Sequence, residues 1–239
     1  MLRDHRPYYI KKAYLKFQKF YAEWFLRPQL THLGKELTIF QPWNAVIFGG
    51  PVRIGDYANI ICSSDHKVRL SIWAEEDNMP GITIGDFCLI CPGVRVSAAK
   101  EIKIGDNCML ASGAYITDAD WHGIYDRTVP GSVAPVILEE NVWVGDRATI
   151  CKGVKIGKNS IVGAGSVVVN NVAPNTVVAG NPAKVVKQLD IEKKFITRSE
   201  WFLNPEGITR QIDQLDRNML HNNTIFDWLR SFLWPKNGD

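Results

Sequence analysis

The sequence has few cysteines, no long apolar run and little net charge, and each shortage excludes a class of protein. Its five cysteines among 239 residues are an odd number at low density, which argues against a disulfide framework and for a reducing compartment. It contains no apolar run of about 18 residues, and its first residues do not form the apolar core of a signal peptide. The net charge of +3 is too small to indicate nucleic-acid binding. We therefore expect a globular chain that stays in the cytoplasm.

Two of the cysteines have the spacing of a metal or redox motif. Cys88 and Cys91 form a CxxC pair, but no second CxxC and no histidine pair with metal-ligand spacing follows. Cys88 and Cys108 also share one position of the repeat described below, where small side chains are required. We therefore predict that the thiols fill space and that the chain holds no metal. A metal or redox role for the pair is the alternative.

A short phrase recurs along the middle of the chain. An aliphatic residue followed by glycine and then by aspartate or lysine occurs at Ile54-Gly55-Asp56, Ile84-Gly85-Asp86, Ile104-Gly105-Asp106, Val144-Gly145-Asp146 and Ile156-Gly157-Lys158. Around these phrases aliphatic residues recur every six positions, and the longest unbroken series is Val144, Ile150, Ile156, Val162 and Val168. This self-similarity indicates an internal repeat.

A six-residue period determines how the chain must fold. It fits neither a helix of 3.6 residues per turn nor the two-residue alternation of a free strand, so the chain must turn once per repeat. Three repeats, each with one short strand and one corner, close a triangular coil with the aliphatic residues toward its axis. Gly, Asp and Asn near the corners supply the unusual backbone angles. Several coils must stack as parallel strands, because one coil cannot bury its own apolar face.

The repeated phrase and the closing phrase Val178-Ala179-Gly180-Asn181-Pro182-Ala183-Lys184 resemble the hexapeptide-repeat acyltransferases, among them galactoside, maltose and polysaccharide O-acetyltransferases. The resemblance implies an all-β fold, a left-handed parallel β-helix, which is an exception to the right-handed crossover preference. We predict that this domain covers residues 41–189. It lies between an N-terminal amphipathic helical segment at 1–40 and a C-terminal helical extension at 190–239.

Two breaks in the six-residue phase predict insertions. The polar segment 66–81 is predicted to bulge from a coil. The segment 118–138 carries aromatic and ionisable residues, and because long loops inside compact repeats are usually functional, we predict a lid or an acceptor pocket there. The terminal helices are predicted to cap the open ends of the coil or to pack at a subunit contact. Contact with a membrane surface, where Trp and Lys prefer the interface, is the alternative.

Acyl transfer from a thioester to a hydroxyl needs a base for the hydroxyl proton, an oxyanion donor and a groove for the pantetheine arm. His122, in the longer insertion, is the predicted base, and Asp118 or Asp120 is predicted to orient its imidazole. In the galactoside and maltose enzymes, which this region resembles, the base opens the loop, and that position falls on Ala119 here. His66, in another loop, is therefore the reserve candidate.

The same resemblance implies a coenzyme site. Trp143 matches a Trp near the active site, and Ala164 matches an alanine whose backbone meets pantetheine. Lys184 and Lys187 match basic positions that contact the coenzyme A phosphates. Asn170 stands where the family often has the second residue of a Thr-Lys pair, and we include it among the coenzyme-binding residues. Related β-helices trimerise with the coenzyme between neighbouring coils, so we expect a homotrimer.

These features predict an acetyl-coenzyme A dependent O-acetyltransferase that acts on a sugar hydroxyl in surface polysaccharide or lipopolysaccharide assembly. The acceptor is expected to be a sugar or a nucleotide-linked or lipid-linked sugar, and the location is the cytoplasm or the periphery of the inner membrane. Three alternatives stay open. They are an N-acetyltransferase for an amino sugar, a metal-dependent hydratase like carbonic anhydrase on the same coil, and an inactive assembly scaffold.

Overall fold

The six-residue repeat folds into three sheets that the chain enters in turn. The computed structural model describes residues 4–73 and 78–236. Sheet A consists of β1 (His32–Leu33), β4 (Val52–Ile54), β7 (Gly81–Ile84), β10 (Glu101–Ile104), β13 (Val136–Leu138) and β16 (Lys155–Ile156). Sheet B consists of β2 (Thr38–Phe40), β5 (Asn59–Ile61), β8 (Leu89–Ile90), β11 (Met109–Leu110), β14 (Trp143–Val144), β17 (Ile161–Val162), β19 (Thr176–Gly180) and β20 (Ala183–Gln188). Sheet C consists of β3 (Ala45–Phe48), β6 (Val68–Ile72), β9 (Arg95–Ala98), β12 (Tyr115–Thr117), β15 (Thr149–Ile150) and β18 (Val167–Val168).

The aliphatic residues of the repeat line one common interior. Ile150, Ile156 and Val162 are fully buried and belong to a single apolar cluster, and the small residue Ala58 is buried with them. The strands pair in parallel with the repeat in register, as where Ile116 of β12 pairs with Ile150 of β15, and among the strand pairs of the described residues the β19–β20 hairpin is the antiparallel one. The prediction of parallel sheets built from hexapeptide repeats is thus confirmed.

The Ile-Gly-Asp phrase links each coil to the next. Asp86 Oδ1 accepts the backbone N–H of Asp56 at 2.7 Å, and Asp106 Oδ1 accepts that of Asp86 at 2.8 Å. The glycine of the phrase is where two coils come closest, since a Cβ on Gly55 would collide with Asp86 Oδ1 and one on Gly85 with Asp106 Oδ1. At these coils the glycine allows the close approach and the aspartate bonds the neighbouring coil.

The corners use glycine in two ways. Gly93 and Gly113 have φ of 78° and 68°, the left-handed angles expected of glycine at a corner. At the Ile-Gly-Asp phrase the left-handed residue is instead the one two positions after the glycine, with φ of 58° at Phe87 and 61° at Asn107. The expectation that Gly, Asp and Asn supply the corner angles is therefore confirmed at Gly93, Gly113 and Asn107, whereas Phe87 supplies the angle at its own corner.

Three observed boundaries differ from the sequence-based expectation. Strands begin at His32, inside the segment 1–40 predicted to be helical, because β1 already pairs with β4. In the predicted bulge 66–81, Val68–Ile72 forms β6, an ordinary side of the coil that pairs with β3 and β9; residues 74–77 of that bulge lie outside the described residues. The end of the predicted insertion 118–138 is β13, so the loop itself ends before Val136.

A segment after the β19–β20 hairpin runs back across the corners of the coil. Arg198 Nε donates to the backbone oxygen of Phe87 at 2.7 Å, and its Nη2 donates to Asn59 Oδ1 at 2.6 Å. The Ser199 N–H donates to Asn107 Oδ1 at 2.7 Å. These bonds tie the chain as far as Glu200 into the same compact unit as the coil.

A second compact unit takes in the described residues before Tyr21 and after Glu200. The helices of the chain are α1 (Tyr8–Tyr21), α2 (Arg198–Trp201), α3 (Pro205–Leu220) and α4 (Ile225–Leu233), with short helical turns at Ala22–Leu26, Arg27–Gln29 and Pro42–Asn44. Tyr8 Oη of α1 donates to Asp213 Oδ1 of α3 at 2.6 Å, and α4 exposes apolar side chains such as Phe226. Within the described residues, each helix is too short or too polar to cross a bilayer.

Four thiols of the coil, those of Cys62, Cys88, Cys91 and Cys151, have raised pKa values. Cys88 Sγ donates to the backbone oxygen of Gly105 at 3.2 Å. Burial raises the pKa of Cys62 to about 11 and also raises the pKa of Cys91. The contact with Cys108, followed by burial, raises the pKa of Cys88. Because the thiolate is the reactive form, these thiols are poor nucleophiles and poor metal ligands at neutral pH.

We expect the native chain to react slowly with a thiol reagent such as Ellman's reagent at about pH 7.5, and all five thiols to react only after denaturation. The absorbance of the released chromophore measures both phases. A rapid phase that disappears in a Cys91→Ser variant, or a disulfide between Cys88 and Cys91 found by mass spectrometry, would contradict the space-filling interpretation.

Candidate functional site

The loop between β12 and β13, residues 118–135, is called the insertion loop here, and it folds back on itself. Ala119 and Val133 form an antiparallel bridge, and the Asp120 N–H donates to the backbone oxygen of Ser132 at 2.9 Å. The loop leaves the end of sheet C and rejoins the chain at the start of a sheet A strand. It therefore presents its residues at the junction of sheets C and A.

His122 is an exposed residue of this loop whose ring is oriented by the backbone. Its Nδ1 lies 3.0 Å from the backbone oxygen of Arg127. A carbonyl oxygen only accepts hydrogen bonds, so Nδ1 carries a proton, and in the neutral form of the ring Nε2 is the nitrogen with the lone pair. A neutral imidazole with an open Nε2 has the form that a general base needs.

Asp118 does not orient His122, so this prediction is wrong. The Asp118 side chain is completely buried, and its Oδ1 accepts the N–H of Ala99 at 2.6 Å. Its Oδ2 accepts the N–H groups of Lys100 and Glu101, both at 2.7 Å. Asp118 therefore closes the turn between β9 and β10 in the neighbouring coil, where the chain offers three backbone donors to one carboxylate.

Asp120 does not orient His122 either. Its Oδ2 accepts from Ser132 Oγ at 3.1 Å and lies 3.2 Å from Lys152 Nζ. Asp120 thus connects the start of the insertion loop to the corner after β15, where Lys152 lies. The position of the His122 ring follows from the Arg127 carbonyl, which sequence reasoning missed because a backbone acceptor leaves no side-chain signal.

His66, the reserve candidate, has the carboxylate partner that His122 lacks. His66 Nδ1 lies 2.9 Å from Asp65 Oδ2, and both side chains are exposed. The hydrogen bonds from Ser63 and His66 lower the pKa of Asp65. The His66 ring stands beside Gly93 at the corner that follows sheet B, whereas the insertion loop starts after sheet C. The two histidines therefore belong to different edges of the coil.

Two of the predicted coenzyme residues share one row on the outer side of sheet B. Trp143 pairs with Ile161, Ile161 pairs with Val177, and Val177 pairs with Lys187. Three strand spacings therefore separate Trp143 from Lys187, which is about 14 Å. Trp143 is 45% exposed, so its ring is open to a ligand lying along this row.

A bulge brings the two predicted phosphate-binding lysines to the same side of the β19–β20 hairpin. Residues three apart normally point to opposite sides of a strand. Here the register shifts between Val177 and Val178, so that Lys184 pairs with Ala179 and Lys187 pairs with Val177. Ala179 and Val177 share a face, and both lysines therefore lie on it.

The structure separates the other two predicted coenzyme residues. Ala164 is exposed at the corner that directly follows β17 of sheet B, and it continues the side of the coil that carries Trp143. Asn170 follows β18 of sheet C, on the same edge as the insertion loop. The single chain therefore divides the candidates between two places: Trp143, Ala164 and the lysines at sheet B, and His122 with Asn170 at the end of sheet C.

Sequence reasoning missed the surroundings of Trp121 in the insertion loop. Trp121 Nε1 donates to Tyr115 Oη at 3.4 Å, and its ring centroid lies 6.4 Å from that of Trp73. The loop therefore folds over the outer side of sheet C. The alternation of side chains along β12 could have indicated that Tyr115 points outward. Nothing in the sequence indicates that Trp73 lies near the insertion loop.

Within residues 4–73 and 78–236, no three His, Cys, Asp or Glu side chains converge as metal ligands.

Two family models match the coil. Residues 135–170 match the family described as bacterial transferase hexapeptide (six repeats), and residues 102–118 match the hexapeptide repeat of succinyl-transferase. This chain therefore carries the hexapeptide repeat of bacterial transferases over these residues. The first match covers β13 to β18, which include Trp143 and Ile161 of the sheet B row, and the second falls on β10 to β12. The insertion loop lies between the two matches.

Curated relatives and a solved structure resemble parts of this hexapeptide-repeat chain. A 2,3,4,5-tetrahydropyridine-2,6-dicarboxylate N-acetyltransferase of Clostridium perfringens is 52% identical over 65 residues, which is 27% of this chain and 28% of the relative. The enzyme of the same name from Staphylococcus aureus is 52% identical over 59 residues, 25% of each. The chain thus spans about a quarter of the length of these relatives. A crystal structure of a mutant of AntD, an N-acyltransferase from Bacillus cereus, in complex with dTDP and coenzyme A shares the fold with a TM-score of 0.58 and 21% identity, over 79% of this chain and 95% of that one.

Proposed function

We propose that this chain is an acetyl-coenzyme A dependent O-acetyltransferase for a sugar hydroxyl, with His122 as its general base. The observation that carries the proposal is the His122 ring, whose Nδ1 donates to the Arg127 carbonyl and whose Nε2 is open in an exposed loop. The match of residues 102–118 and 135–170 to hexapeptide-repeat transferase models supports the reaction class. The proposed setting is surface polysaccharide or lipopolysaccharide assembly in the cytoplasm.

The proposed reaction is a direct transfer without a covalent enzyme intermediate. The acceptor hydroxyl attacks the thioester carbonyl while Nε2 of His122 takes its proton. Backbone amides of the insertion loop stabilise the oxyanion that forms. When the C–S bond breaks, the imidazolium returns the proton to the coenzyme A thiolate, so that free coenzyme A, the acetyl ester and neutral His122 are left.

The proposal includes a homotrimer of left-handed β-helices. Trp143, Ala164, Lys184 and Lys187 lie at sheet B, whereas His122 lies at the junction of sheets C and A. The acetyl group must reach His122, so the sheet B row of one copy has to meet the insertion loop of another. A closed ring of identical contacts satisfies every copy, and three-fold closure is the arrangement implied by the family resemblance.

An N-acetyltransferase for an amino sugar is the second candidate, favoured by the N-acetyltransferases among the relatives. The same His122 can serve either nucleophile, because both lose a proton as they attack. For both candidates we keep the roles expected of the terminal helices, a cap or a subunit contact, with the inner-membrane surface as the alternative, and the exposed Phe226 and Trp234 suit each of these roles.

The proposal predicts coenzyme A release when the purified chain is incubated with acetyl-coenzyme A and a panel of sugars and sugar nucleotides. Acceptor-dependent release, followed with a thiol reagent, supports the reaction, and mass spectrometry of the product separates an ester from an amide.

Replacing Lys184 and Lys187 together by alanine should weaken acetyl-coenzyme A binding about 10–100-fold, because two cations no longer face the phosphates.

Lys103→Ala is the matched control for the lysine variant. Lys103 is an exposed lysine on the outer side of β10 in sheet A, away from the sheet B row, and its loss should leave binding unchanged. Equal affinity in the double lysine variant and the control would contradict the proposed coenzyme groove. Absence of release with every acceptor, despite coenzyme binding, would favour the scaffold alternative.

A further inference from the structure

The outer side of sheet C carries side chains for which the proposed reaction has no use. Strand alternation points Arg69, Arg95 and Tyr115 outward, in register across β6, β9 and β12. The insertion loop adds Trp121 to the same side. We call this surface the sheet C face. Its members are Phe48, Arg69, Trp73, Arg95, Tyr115 and Trp121.

Two arginines stand side by side on the sheet C face. Arg69 and Arg95 are paired residues of adjacent strands, which lie about 4.8 Å apart. Both side chains are exposed. Among the described residues, no Asp or Glu forms a salt bridge with either of them. Like charges at neighbouring positions of a sheet repel each other. An anion held between the two guanidinium groups would remove that repulsion.

Aromatic rings continue from these arginines to the insertion loop. Arg95 Cζ lies 4.2 Å from the ring centroid of Tyr115, whose hydroxyl accepts from Trp121. The Trp73 ring lies 6.4 Å from that of Trp121 and 4.7 Å from that of Phe48. Phe48 and Trp73 are 51% and 61% exposed, so the strip presents open ring surface to solvent. Exposed aromatic groups of this size, grouped together, mark a binding surface.

We propose that the sheet C face binds a glycosyl diphosphate. Guanidinium groups match phosphate oxygens with two parallel hydrogen bonds, so Arg69 and Arg95 would hold the phosphates. The flat apolar side of a sugar ring suits the rings of Trp121 and Trp73. Trp121 directly precedes His122, and a sugar stacked on it is presented to the loop that carries the base. The role of this ligand as acetyl acceptor rests on the proposed function, but its binding does not.

Charge favours this occupant over a second copy of the chain. A protein surface packed on the sheet C face would have to bury two guanidinium groups, which is costly unless carboxylates meet them. A diphosphate carries the complementary charge in the smallest space. Packing of a second copy on this face is the rival outcome that the experiment separates.

The experiment measures binding of UDP-glucose to the full chain by calorimetry, without acetyl-coenzyme A. Inorganic pyrophosphate, UDP and glucose are the comparison ligands. We expect UDP-glucose to bind more tightly than any of the three. Arg69→Ala and Arg95→Ala should each weaken UDP-glucose binding about 10–100-fold. Trp73→Ala should reduce the advantage of UDP-glucose over UDP, and Lys103→Ala serves as the matched control.

Four results would overturn the proposal. Equal binding of pyrophosphate and UDP-glucose would leave a simple anion site, and equal binding of UDP and UDP-glucose would remove the sugar from it. A change in the sedimentation of the arginine variants would make the face a contact between copies. Unchanged affinity in both arginine variants also refutes the site. These results are independent of acetyl transfer: UDP-glucose binding that is lost in the arginine variants, in a chain that releases no coenzyme A with any acceptor, would refute the proposed function and leave the site standing.

Discussion

Replacing His122 by alanine is expected to lower the rate of acetyl transfer about 10²–10⁴-fold, the usual contribution of a general base. The imidazole Nε2 is the group that would take the acceptor proton, and alanine leaves only water to do so. Because His122 is exposed and bonds only to the Arg127 carbonyl among the described residues, its removal costs little stability. The measurement is kcat for coenzyme A release, together with calorimetric affinity for acetyl-coenzyme A, which should not change.

His66→Ala is the matched control for the His122 variant. His66 is also exposed and also has a fixed Nδ1, but it lies at the corner beside Gly93. A large loss of kcat in His66→Ala with full activity in His122→Ala would exchange the two assignments. Full activity in both single variants would eliminate a histidine base. A loss shared by both variants would indicate that two edges of the coil meet in one site between copies.

The fold was predictable because the repeat constrains it at every coil. Ile150, Ile156 and Val162 had to share an interior, since no other arrangement of a six-residue period buries all three. The two functions of glycine were not separable in the sequence, because the repeat predicted a corner near Gly55 and near Gly93 alike. Only the close approach of Asp86 to Gly55 shows that one of them serves coil stacking and not a corner angle.

The candidate site was predictable in its residue types and not in its contacts. His122 stood out as the histidine of a long loop, and the resemblance pointed to Trp143, but their placement on different sides of the coil follows from the order of the sheets. The partner of His122 is a backbone carbonyl, which any residue at position 127 could provide. Proximity in sequence suggested Asp118, whose side chain points into the neighbouring coil instead.

Substitution of Asp118 should lower the free energy of unfolding and leave kcat unchanged. The buried carboxylate accepts three backbone N–H groups, from Ala99, Lys100 and Glu101. Asp118→Ala would leave these donors buried without acceptors, and we expect a loss of about 3–5 kcal/mol in the free energy of unfolding. Asp118→Asn keeps one acceptor oxygen and places an amide group against the remaining donors, so its loss should be about half as large. Urea unfolding followed by circular dichroism measures both.

Asp120→Asn is the control that separates the two aspartates. Asp120 is a partly exposed residue whose bonds to Ser132 and Lys152 lie near solvent, so its substitution should cost less than about 1 kcal/mol. Below the unfolding transition, Asp118→Asn should retain the kcat of the unmodified chain, because it touches neither His122 nor the outer side of sheet C. If Asp118→Asn instead lost kcat and kept its stability, the carboxylate would act on the base after all, and the three amide contacts would not describe its role.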